Sequence, residues 1–75
     1  MSNELAHHIN ILKAEIITEE RAADEIAGLA RSLRQAGHDS PAASLFAIGR
    51  QLRIKALDLR GSLAVLSRFG RNDSV

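Results

Sequence analysis

At 75 residues the chain holds one domain at most, and a domain this small buries only about 60% of the surface that its unfolded form exposes. It has no cysteine, which excludes disulfide staples and thiolate metal sites. Ten Lys and Arg stand against nine Asp and Glu, a balance that argues against nucleic acid or an anionic membrane as the default partner.

The opening MSNELAHH has neither a basic nor an apolar leader region. No apolar run approaches the ~18 residues of a membrane span. The expectation is a cytoplasmic protein with no membrane partner. Ala, Leu, Arg and Glu dominate, Val and Thr are scarce, and Phe46 and Phe69 are the only aromatic residues. That composition favours helix over strand.

In chain order, the first predicted element is a helix over about 3–36. Ser2 or Asn3 can cap it, and Glu4 in its first turn suits the helix dipole. Leu5, Ile9, Leu12, Ile16, Glu19, Ala23, Ile26, Ala30 and Leu33 recur at alternating spacings of four and three, the heptad seam of left-handed helix packing. Three polar residues fall on the apolar side of this helix: His8, Glu15 and, near its middle, Glu19. His7 points well away. Glu15 and Glu19 are four apart, as are Glu20 and Asp24, so like charges are neighbours on two faces. A carboxylate on a packed seam must be paired, protonated or coordinated.

The next segment, 37–40, has turn chemistry. Gly37 suits the left-handed residue that ends a helix, Ser40 an N-cap, and Pro41 the first helical position. So short a connection predicts an antiparallel hairpin. The second helix is predicted over about 41–69, with Gly70 ending it and a loose tail over 70–75. Its seam runs through Leu45, Gly49, Leu52, Ala56, Leu59, Leu63 and Leu66, while Phe46, Ile54, Leu57 and Val65 point elsewhere. Arg50, Arg53, Arg60 and Arg68 form a stripe interleaved with Phe46, Leu57 and Ala64.

Two helices of roughly 30 residues, about 45 Å each, cannot enclose a core between themselves. Small folds without disulfides gain stability from metals or from self-association. The predicted fold is therefore all-α: one helical-hairpin domain over 1–75 that self-associates into a four-helix or larger bundle. Leu12, Ile16, Ile26, Leu52, Leu59, Leu63 and Leu66 would form the oligomer interface, with Phe46, Ile54 and Leu57 as a further contact surface.

The function that this architecture implies is interaction: an adaptor or accessory module with no cofactor, whose partners are itself, as dimer or tetramer, and another protein. Glu19 would then be ion-paired. In a hairpin turning near residue 39 it lies level with Leu59 and Arg60. One alternative is a divalent metal ion held between subunits by His8, Glu15 and Glu19, as in carboxylate bundles where ligands from several helices converge. A second is nucleic-acid binding through Arg50, Arg53, Arg60 and Arg68. Enzyme readings fare worst: the chain lacks a Gly-rich phosphate loop, and a lone hairpin has no cleft for a Ser/His/acid arrangement.

Overall fold

The computed structural model describes residues 2–73, with side chains from 3 to 69. Two helices, α1 (Ser2–Gln35) and α2 (Asp39–Asp73), pack against each other as an antiparallel hairpin. No strand is present among the described residues, and no helix is long and apolar enough to cross a membrane.

The turn is tighter than the sequence suggests. Gly37 takes the left-handed conformation (φ 88°). His38 N–H donates to the Leu33 carbonyl at 2.8 Å and Gly37 N–H to the Arg34 carbonyl at 3.0 Å. This pair of bonds is a Schellman motif, and it satisfies carbonyls that the end of α1 would otherwise leave open. The chain re-enters a helix at once, because Ala42 N–H already donates to the His38 carbonyl at 3.1 Å. His38, not Ser40, therefore occupies the cap position, and α2 begins at Asp39 rather than at 41. Pro41 sits inside the first turn, where a missing N–H costs nothing.

The far end also differs from expectation: α2 runs through Gly70 to Asp73. A glycine interrupts a helix where the chain must reverse, as at Gly37. Elsewhere it only lowers helix propensity, by about 1 kcal/mol. Of the tail expected over 70–75, Ser74 and Val75 lie outside the described residues.

The helices meet through small side chains. Buried positions are Ile16, Ala23, Ala27 and Ala30 on α1, and Ala42, Gly49 and Ala56 on α2. A Cβ added to Gly49 would stand 3.8 Å from the Ala23 carbonyl oxygen, so side chain is nearly absent between the backbones there. In heptad letters these residues fall at position a of both helices, with Ala27 at e. The large aliphatics fall at d: Leu5, Leu12, Ile26 and Leu33 on α1, and Leu45, Leu52, Leu59 and Leu66 on α2. All eight are half-buried. Of the seven residues expected at the oligomer interface, only Ile16 is fully buried within the hairpin; Leu12, Ile26, Leu52, Leu59, Leu63 and Leu66 keep one side in solvent.

The molecule is consequently one layer thick, with extents of 58 × 15 × 12 Å and a radius of gyration of 17.0 Å. A compact chain of this length would have a radius of about 11 Å. Its accessible surface is 5603 Å², against roughly 4,500 Å² for a compact monomer of its mass.

Candidate functional site: two open faces of one hairpin

Packing through a and e leaves the hairpin with two broad faces. They are identified by the residues that bridge the helices. On one, Arg60 grips Glu20 through two parallel hydrogen bonds, Nε to Oε2 and Nη2 to Oε1, both 2.9 Å. Arg53 reaches Asp24 at 3.5 Å, and the Arg34 guanidinium lies 5.0 Å from the centre of the Phe46 ring. This face is charged along its length. Near its open end Lys13, Ile16, Ile17, Arg60 and Leu63 line a shallow groove of about 200 Å³.

The opposite face carries the two d rows. The ion pairs fix their register, putting Leu33 across from Leu45, Ile26 across from Leu52, and Leu12 across from Leu66. Leu29 (59% exposed) and Ile48 (48% exposed) extend the apolar surface at its margins. One bridging ion pair interrupts it: Lys55 Nζ lies 3.2 Å from Glu19 Oε1, with the Glu19 side chain only 17% exposed. Glu19 sits near the middle of α1 and Lys55 near the middle of α2, so the polar layer divides the apolar face into two similar halves.

Each predicted polar residue can now be placed. Glu19 is ion-paired, as the sequence suggests, but its partner is Lys55. Arg60 lies level with it on the other face and takes Glu20 instead. Glu20 and Asp24, adjacent like charges on α1, each have an arginine of α2 beside them. His8 and Glu15 are exposed along the rim of the apolar face, about two helical turns from each other, with Glu15 about one turn from Glu19. Among the described residues no group of three His, Asp or Glu side chains converges as metal ligands would. The metal reading of His8, Glu15 and Glu19 thus requires ligands from a second chain.

The arginine stripe is divided. Arg53 and Arg60 are engaged with carboxylates of α1, while Arg50 and Arg68 are exposed on the outer side of α2. Of the proposed further contact surface, Phe46 lies half-buried beneath Arg34, and Ile54 and Leu57 stand exposed on α2 away from the apolar face, Leu57 (67% exposed) between Arg53 and Arg60 in the arginine stripe.

All eight d-position aliphatics stand in the two predicted heptad seams, and Leu12, Ile26, Leu52, Leu59 and Leu66 are among the residues expected at the oligomer interface. What the seams did not separate is the a row, which the hairpin buries, from the d row, which it leaves half-open. The available signal was the recurrence of small residues every seventh position, at Ala23 and Ala30 and again at Gly49 and Ala56. Comparison with protein-family models, with characterised proteins and with solved structures gives no match.

Proposed function

We propose that the chain is a self-associating interaction module: a second copy lays its apolar face on the first, and the two hairpins form a four-helix bundle. The observation that carries this reading is the double row of eight half-exposed aliphatic residues at position d, confined to one face. In a four-helix bundle such rows are the centre of the core, and the a-position contacts already made are one of its sides.

The area argument selects a second copy as the occupant. The chain exposes roughly 1,100 Å² more than a compact monomer of its mass, and a stable interface buries about 800 Å² per partner. One copy of the same length and shape supplies cover along the whole face. Leaving the rows in water forfeits about 25 cal/mol for each Å² of apolar surface that burial would remove. With its assembly satisfied this way, the bundle presents the charged faces and the backs of its helices outward. Ile54 and Leu57 are then among the exposed apolar residues left for a further protein or a larger assembly.

Native mass spectrometry of protein purified without tag or chelator tests the reading, because it reports chain number and bound ions together. The result expected is a metal-free dimer or a multiple of it. Whole-number metal per pair of chains would instead favour the Glu19-centred metal site, and a monomer at micromolar concentration would remove the assembly reading.

A further inference from the structure

We infer, resting on that self-association, that the two hairpins pair about a two-fold axis running along their length, with both turns at the same end, so that α1 of each copy stacks on α2 of the other. Two closed arrangements can bring like faces together. An axis along the hairpin stacks α1 on the partner's α2 and preserves height. An axis across the hairpin, through its middle, puts the turns at opposite ends and stacks α1 on the partner's α1, with height reversed. The residues flanking the d rows distinguish the two.

Height within one hairpin is set by the Glu20–Arg60 and Asp24–Arg53 pairs. Rotation about the long axis carries the same register across to the partner. Leu29, exposed on the rim of α1, then comes level with Ile48 of the partner subunit, exposed on the rim of its α2. Glu15 falls beside Ser62 of the partner subunit. Glu19 lies about one turn from Lys55 of the partner subunit, so the two ion pairs become a ring of four alternating charges at the centre of the bundle. An apolar rim residue meets an apolar one, and Glu19 meets a base.

The crosswise arrangement loses these matches. Glu19, near the middle of α1, would face Glu19 of the partner subunit across the axis, two low-exposure carboxylates side by side. Leu29 would meet His8 of the partner subunit. Sliding the copies to separate the two carboxylates sets each Glu19 against the partner's Ile26 or the partner's Leu12, where a charge has no counterpart. The lengthwise arrangement is also pinned against slippage, because a one-heptad shift takes both Glu19 side chains away from the partner's Lys55.

The chain has no cysteine, so one label can be placed at the turn without background. His38 is exposed, and only its backbone groups make hydrogen bonds there. Pulsed dipolar EPR on His38→Cys carrying a nitroxide reads the separation of the two turns. Turns at one end give an intermolecular distance below roughly 25 Å, since neighbouring helix axes lie 8–10 Å apart and the labels add reach. A distance approaching the 58 Å length of the hairpin overturns the lengthwise arrangement while leaving the dimer intact. Absence of any intermolecular dipolar signal overturns the dimer itself, so the two failures are distinct. Dilution with unlabelled chain should reduce the signal amplitude and leave the distance unchanged.

Discussion

The two broad faces of the hairpin are built from the same two helices at the same heights, yet they resolve their surface differently. One closes on itself: Glu20 with Arg60, Asp24 with Arg53, and Arg34 over Phe46 satisfy charge and cover an aromatic ring within a single chain. The other offers Leu and Ile at every level except the Glu19–Lys55 layer. The difference arises from which positions meet between the helices. Small residues at a let the backbones approach closely, and the seam runs through a, joined on α1 by Ala27 at e. The large d residues are thereby rolled out onto one side. A hairpin with leucine at a and alanine at d would hide its large residues and expose its small ones. The teaching point is that the placement of small residues, as much as that of large ones, decides which apolar surface a helical pair leaves free.

That contrast can be broken most severely on the apolar face. Leu52→Asp places a carboxylate in the middle of the d rows. Desolvating it without a partner costs several kcal/mol, so the dimer is expected to dissociate at least a hundredfold more readily by sedimentation. Leu57→Asp, on α2 away from the apolar face, is the matched control. It should leave the two-copy bundle intact and remove only larger species. Ala23→Leu acts between the faces. Ala23 has no exposed surface, and overpacking there should cost about 1–3 kcal/mol, read as a lower midpoint in urea.

Smaller changes sharpen the comparison. Replacing both members of the layer, Glu19→Leu with Lys55→Leu, makes the apolar face continuous, and exchanging a partly buried ion pair for packed hydrophobes is often neutral or stabilising by about 1–4 kcal/mol. A higher melting temperature is expected, together with a mixture of registers in cross-linking, because the layer that pins the two copies has gone. A lower melting temperature with loss of a bound ion would point to metal instead. On the charged face, Glu20→Gln removes a two-bond ion pair whose members are both substantially exposed. Solvent screening limits the loss to about 1 kcal/mol or less, and that loss should shrink as salt is raised.

Much of this fold was legible in the sequence. Gly37 marked the reversal, and two heptad runs marked the helices and their antiparallel pairing. The alternation also brought out Glu19 as a polar residue on an apolar arc. Its pairing was legible in kind but not in partner: level alone suggested Arg60, and only the rotation of α2 about its axis puts Lys55 on Glu19's side and Arg60 on Glu20's. Which residues the single hairpin buries was less legible, for a related reason. Hydrophobic periodicity ranks Leu12, Ile26 and Leu52 above Ala23, Ala27 and Ala42, whereas burial between two isolated helices goes to whatever sits where the backbones come closest. The start of α2 at Asp39 was hidden because Ser40 and Pro41 satisfy capping preferences as well as His38 does, and the hydrogen bonds of the Schellman turn decide between them.

The most direct test of the central claim is an isotope-filtered NOE experiment on an equal mixture of carbon-13-labelled and unlabelled chains. It detects only contacts between copies. Cover of the apolar face by a second copy predicts intermolecular contacts to the methyl groups of Leu12, Ile26, Leu52 and Leu59. Intermolecular contacts confined to Ile54 and Leu57, or none at all, would contradict it.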